Sequence, residues 1–230
     1  MINPINSIID FHAHILPRAD HGSSSVDISI FQLNSAKKSG VQKIIATPHF
    51  YPNEHFIDSF LRKRNKSYEA LLPYLTDELP EVKVGAEVLL CANIDKLPGI
   101  EKLCVYGTNV LLIELPFTGY SDEHFEAVYN LIKNGFQIVL AHADRYPPSD
   151  IDKLLTLDLS LQINADSLTR IIKNKKIYQW IETGRVCALG SDIHGKDNKA
   201  YKRLISAAKK TENYLDQINF RSQMIWENSK

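Results

Sequence analysis

A single barrel of parallel strands wrapped in helices is the fold the sequence predicts, and three features predict it. Seven short runs rich in Val, Ile and Leu recur along the chain. Longer amphipathic segments lie between them. No linker, internal repeat, low-complexity tract or shift of composition divides the 230 residues. Strands that are apolar throughout belong to parallel sheets covered on both faces. Seven of them without a break favour closure into a barrel over an open sheet, so residues 1–230 are expected to form one α/β domain.

The elements follow in order. Residues 7–11 form a strand candidate, and 26–39 a helix stopped by Gly40. Residues 43–47 are a strand ended by Pro48, and 54–75 a long helix. Further strands are expected at 82–89, 110–115, 136–141, 159–163 and 185–189. The helices between them are expected at 122–134 before Gly135, 167–183 before Gly184, and 199–211. Glycine after the last periodic residue is a helix stop, and proline ends a strand because it cannot donate to the ladder.

Composition removes several classes of function. Lys and Arg number 27 and Asp and Glu 27, so no basic excess exists to hold nucleic acid or an anionic membrane surface. No apolar run reaches the roughly 18 residues that a spanning helix needs, and the N-terminal stretch does not read as a secretion signal. Cys91, Cys104 and Cys187 are too scattered for a disulfide framework and fit reduced core thiols, so a cytoplasmic protein is expected.

The chemistry lies in where histidines and carboxylates fall. His12 and His14 follow the first strand, His49 the second; Glu87 lies in the third and Glu114 near the end of the fourth; His142 ends the fifth, and Asp192 and His194 end the seventh. In a parallel barrel those ends converge on one face, where barrel enzymes build their sites. Residues i and i+2 on an extended strand point the same way, so His12 with His14, and Asp192 with His194, can grip one ion. His21, in the turn after the first strand, is a ninth candidate. His55 is expected at the rim and His124 on a helix surface. Imidazole and carboxylate without cysteine point to Mn, Fe or Zn in a catalytic cluster, and this many ligands suit two or three ions, the clamp used on phosphate esters.

Other catalytic schemes fail on spacing. A cysteine phosphatase needs Cys-x5-Arg, but Leu97, Val110 and Ile193 stand where the arginine should be. Residues 190–196 nearly spell a P-loop, yet Asp197 replaces the magnesium-binding hydroxyl. No Gly-x-Ser-x-Gly is present.

The ordered set His-x-His, His, Glu, Glu, His, Asp-x-His resembles the PHP (polymerase and histidinol phosphatase) superfamily. More narrowly, DFHAHILPRADHG (10–22), IATPH (45–49), VGAEV (84–88), LIELPF (112–117), AHADRY (141–146) and GSDIH (190–194) resemble the bacterial capsule and exopolysaccharide protein-tyrosine phosphatases. The resemblance runs from residue 8 to near the C-terminus. It implies a distorted (β/α)7 TIM-like barrel with three divalent ions, manganese foremost, Fe or Zn as alternatives. It also implies a phosphotyrosine protein substrate, an autophosphorylated bacterial tyrosine kinase of polysaccharide export, with a metal-bridging hydroxide attacking phosphorus.

Carried over, it puts His12, His14, Glu87 and Asp192 around a first ion. Glu87, Glu114 and His142 surround a second, and His49, His194 and His21 a third, with Arg145 on the phosphate. Asp20-His21-Gly22 stands where the family has Asp-Asp-Gly, so His21 is expected to bind, with Asp20 as substitute. A second phosphate arginine is lacking, and Lys196 and Lys199 are the nearest cations; lysine cannot reproduce the bidentate fork. Asp144 or a metal-bound water is expected as general acid. Phe50, Tyr51, Phe117, Tyr120 and Tyr146 are expected at the substrate mouth. The alternatives are a small-molecule phosphatase of histidinol-phosphatase type, or a catalytically weak module that binds phosphotyrosine.

Overall fold

The computed structural model describes residues 8–117, 119–170 and 174–227. β1 (Ile9–Ala13) is followed by α1 (Val26–Lys38), β2 (Lys43–Ala46), β3 (His49–Phe50), α2 (Ile57–Leu71), β4 (Glu81–Val84), β5 (Glu87–Leu89) and β6 (Val110–Glu114). Then come α3 (Asp122–Lys133), β7 (Gln137–Leu140), α4 (Pro148–Leu154), β8 (Leu159–Asn164), α5 (Ala165–Thr169), α6 (Lys175–Glu182), β9 (Val186–Gly190), α7 (Ala200–Lys210) and α8 (Glu212–Glu227).

All pairings are parallel, in the order β3-β5-β6-β7-β8-β9-β1-β2-β4. The two ends of this sheet meet through the chain itself. β3 continues β2 after Thr47-Pro48, and β4 leads into β5 through Gly85-Ala86. Backbone N–H groups of Gly85 and Glu87 donate to Ala46 and Pro48 at 2.8 and 3.1 Å, carrying the pairing across both breaks. The nine strands are thus seven extended runs curled into a distorted TIM-like barrel. Two of the expected strands, 43–47 and 82–89, belong to runs broken in the middle. Proline without an N–H and glycine without a side chain are where such a run yields most easily.

β1, β6 and β9 are buried along their whole length, as continuous apolar runs in a two-sided parallel sheet must be. Helices start and stop on local chemistry. Ser25 caps α1 by accepting from the Ile28 N–H at 3.3 Å, and Ser121 with His124 forms a capping box on α3. His124 therefore sits in the first turn of α3, half-buried. The segment expected as one helix at 167–183 is α5 and α6, with 171–173 outside the described residues. A smaller apolar cluster of Ile9, Phe11, Ile45, Val110, Val139 and their neighbours is completed by Ile225 and Trp226 of α8. Lys43 and Lys83 place their ammonium groups 5.2 and 4.9 Å from the Trp226 ring centre, closing the end of the barrel opposite the site.

Candidate metal centre

The first strand begins two residues later than the apolar run suggests, so His12 lies inside β1 and His14 just beyond it. Pairing of β1 with β2 is irregular between Asp10 and Ala13. Ile9 and Phe11 accordingly belong to one apolar cluster and Ala13 to the other. Such a bulge re-aims side chains, and here His12 and His14 reach the mouth. Gly22 lets the following turn close on them, since a Cβ there would lie 2.1 Å from the His14 Cβ.

Glu87 is the hub. Its Oε2 lies 3.0, 3.3 and 3.0 Å from His12 Nε2, His14 Nε2 and His49 Nδ1, and its Oε1 2.7 Å from His142 Nε2. Glu114 lies 3.6 Å from both His49 and His142. Asp192 Oδ1 stands 3.7 and 3.4 Å from His12 and His14. Three overlapping sets of donors lie close enough together to hold an ion: His12, His14 and Glu87; His49, Glu87 and Glu114; His14, His49 and His194. Eight of the nine expected ligands thus converge, either in these sets or directly against them. His21 differs: it is exposed, outside the three sets, and stacks its ring on His14, His49 and His194 at 6.3, 4.8 and 4.7 Å. Asp20 is spent on support, its carboxylate accepting from His14 Nδ1 at 2.7 Å and the His49 N–H at 3.1 Å.

The donor chemistry fits metal ions. Four imidazoles have Nδ1 tied to an oxygen: His12 to Gln162 at 3.1 Å, His14 to Asp20, His142 to the Tyr146 hydroxyl at 3.1 Å, and His194 to the Asp192 carbonyl at 3.0 Å. This leaves each Nε2 lone pair for the cluster, as in metal-binding histidines whose other ring nitrogen is held by an oxygen. His12 and His14 then present Nε2 to Nε2 at 3.0 Å, a contact that calls for a cation between them. His49 Nδ1 and His194 Nε2 are buried without a hydrogen bond.

Electrostatics point the same way. Burial alone would lower His49 and His142, but Glu114 and Glu87 against them push both up to about 9. Burial would raise Glu87, yet His12, His14 and His142 hold it well below the usual carboxylate range. His194, half-buried and facing His14, is lowered to about 4 by desolvation and the neighbouring His14. Two of these residues are also strained: His142 and Asp192 adopt left-handed backbone at φ 32° and 50°, a departure that clusters at functional sites.

Beside the cluster opens a cavity of about 640 Å³ that reaches Arg145, Asp192, His194 and Phe117. Arg145 pairs with Asp192. Lys196 and Lys199 are exposed and do not line it, whereas Arg170 and Arg203 do. Arg203 is held by Asp166 and Asp197. The aromatic set divides. Phe117 is 81% exposed, but Phe50 is fully buried against Phe60. Tyr51 stacks on His49 at 5.3 Å and on His55 at 6.0 Å, which places His55 at the rim. Tyr120 is half-buried outside the cavity. Tyr146 turns its hydroxyl to Leu115 and to the candidate ligand His142. Asp144 accepts from the Asn164 N–H and the Ser167 hydroxyl, so both its oxygens are engaged.

Sequence reasoning passed over Asp10, Gln162, Asn164, Arg170 and Arg203. Two of them carried a legible sign: with Ser160, Gln162 and Asn164 alternate with apolar residues along β8.

Fold and site together define a barrel protein built to hold metal ions at the C-terminal mouth of its strands. The chain belongs to the capsular polysaccharide synthesis family CpsB/CapC, whose pattern matches residues 8–230. It is 27% identical over 197 residues to tyrosine-protein phosphatase YwqE of Bacillus subtilis, covering 81% of this chain and 77% of that protein. It is 25% identical over 213 residues to tyrosine-protein phosphatase CpsB of Streptococcus pneumoniae, covering 84% and 85%. The fold superposes with a TM-score of 0.78 on a crystal structure from work on YwqE and CpsB, described as metal-dependent tyrosine phosphatases, at 22% identity and 97% and 96% coverage. A probable 2-pyrone-4,6-dicarboxylic acid hydrolase of Acinetobacter baumannii shares the fold more distantly, with a TM-score of 0.53 at 11% identity and 96% and 99% coverage.

Proposed function

We propose that this protein is a metal-dependent protein-tyrosine phosphatase of the capsule-synthesis type, acting on a phosphorylated tyrosine kinase in the cytoplasm. The observation that carries the reading is the convergence of five imidazoles and three carboxylates beside Arg145. The ions are three, with manganese as the first choice. His12, His14, Glu87 and Asp192 hold one; Glu87, Glu114 and His142 hold another; His49 and His194 serve the third site. Bound divalent ions make water nucleophilic near neutral pH and neutralise the phosphoryl oxygens.

The chain's own residues supply the rest. Arg145 binds the phosphate and stabilises charge that grows on its oxygens. Phe117 offers an aromatic face to the tyrosine ring at the cavity edge. Asp192, held by Arg145 and Asn164, keeps its other oxygen on the cluster. Because Asp144 is engaged by Asn164 and Ser167, no protonated side chain is assigned to the leaving group. Tyrosinate, of pKa about 10, needs less protonation than an alkoxide.

The test is a paired assay on metal-quantified protein, with a phosphotyrosine peptide and histidinol phosphate, before and after chelation. Manganese-dependent turnover that favours the peptide is expected. Preference for histidinol phosphate would move the protein to small-molecule hydrolysis, and failure on both with metal bound would leave a binding module.

A further inference from the structure

Among the seven runs, β8 stands apart in supplying none of the eight converging ligand candidates, since β7 brings His142 against Glu87. It nonetheless carries Gln162, fully buried, and Asn164, 4% exposed. Gln162 Oε1 accepts from the backbone N–H of His142 at 2.8 Å and meets His12 Nδ1 at 3.1 Å. A backbone N–H can only donate, so the atom facing it is the oxygen, and His12 Nδ1 must then carry its proton. Gln162 Nε2 is left to donate to Asn164 Oδ1 at 2.8 Å, and Asn164 Nδ2 donates in turn to Asp192 Oδ2 at 3.0 Å. One backbone group thus orients two amides, and the line of bonds ends on two residues of the metal centre that stand on different walls, His12 in β1 and Asp192 after β9.

A separate observation concerns β9. A Cβ at Gly190 would stand 2.5 Å from Gln162 Nε2 and 2.8 Å from the His12 Cβ. Glycine there keeps the space in which the amide and the imidazole meet.

We propose that Gln162 and Asn164 are positioning residues of the metal centre. Gln162 sets the tautomer of His12 so that its Nε2 lone pair faces the cluster, and it restrains the left-handed backbone of His142. Asn164 fixes the Asp192 carboxylate with one oxygen on Arg145 and the other on the cluster. Both act without touching an ion, and burial keeps water from replacing them. The proposal rests on the metal-site reading above.

The experiment titrates chelated protein with manganese by calorimetry and records the melting temperature of the metal-free form. Asn164→Ala removes the bond to Asp192 with little loss of packing, and Gln162→Met removes both acceptor bonds at similar volume. Each is expected to lower manganese affinity about 10–100-fold, the usual effect of losing such a partner. The metal-free melting temperature of Asn164→Ala should stay within a few degrees of the parent. Should Gln162→Met fail to fold, Asn164→Ala decides alone. A folded Asn164→Ala protein that binds manganese as the parent does overturns the relay while leaving the metal reading intact. A parent that takes up no manganese overturns both.

Discussion

The guanidinium of Arg145 rests on the carboxylate of Asp192, donating to Oδ2, while Oδ1 of the same carboxylate faces His12 and His14. One side chain thereby joins Arg145, the proposed phosphate-binding group, to the proposed metal side of the site. Arg145 is 44% exposed, so it is available to substrate and contributes little to the core.

Arg145→Ala should therefore spare the fold and remove turnover. A fall of about 10²–10³ in kcat is expected, as for other donors to developing charge, with a melting temperature close to the parent. Steady-state rates on a phosphotyrosine peptide check this, and full activity would remove Arg145 from the phosphate.

Chelation is expected to abolish turnover and to lower the melting temperature, because ions that bind only the folded chain stabilise it by mass action. Adding manganese back should restore both together. Retained activity in metal-free protein would refute metal dependence.

Gly22→Ala should disable the site through geometry alone. The added Cβ would lie 2.1 Å from the His14 Cβ and 2.6 Å from its carbonyl oxygen. Neither atom can rotate away, so the end of β1 must shift. A loss of about 1–3 kcal/mol, the range for overpacking, should appear in denaturant unfolding, together with reduced manganese binding. A variant with parental stability and full metal content would contradict the close approach.

Asp10 provides a pH test. It is fully buried; burial raises its carboxyl to about 6 against bonds from Ser191 and His12 that lower it. The folded state holds this proton more tightly than the unfolded one. Its contribution to stability is fully present below pH 3.8 and is lost as pH rises through 6, by about 3 kcal/mol at the most. Asp10→Asn does not titrate. In chelated protein its stability relative to the parent should improve from pH 4 to pH 7, read as the difference between two denaturation curves. Parallel behaviour of the two proteins across that range would refute the shift.

Much of the architecture was legible because its signals are local. Continuous Val, Ile and Leu runs marked all seven extended segments, and Gly40, Gly135 and Gly184 marked helix ends. The breaks inside 43–50 and 82–89 were not, because apolar pattern reports burial and not the direction of the next peptide. α8 was passed over since Asn219 and Ser222 dilute its buried face of Leu215, Ile218 and Ile225. α4 begins at a Pro-Pro pair that reads as loop. The candidate ligands stood out by position after strands. Their supports did not: Asp20, Gln162, Asn164 and Tyr146 act through contacts between residues distant in the chain. The exchange of Lys199 for Arg203 at the cavity also depends on how α7 leaves the barrel, which no motif spacing encodes.

Where the ring of strands closes, β3 and β5 are matched through the pairs His49 with Glu87 and Phe50 with Val88. Four pairs between β2 and β4 hold the other half of this seam, so the seam should open first at its two-pair half by the mouth. One of those two pairs is itself made of ligand candidates, so loading the site rivets that half shut and stripping it loosens the whole hoop at one place. Amide exchange in the chelated protein should then quicken at Phe50 and Glu87 well before it does along β6 to β9.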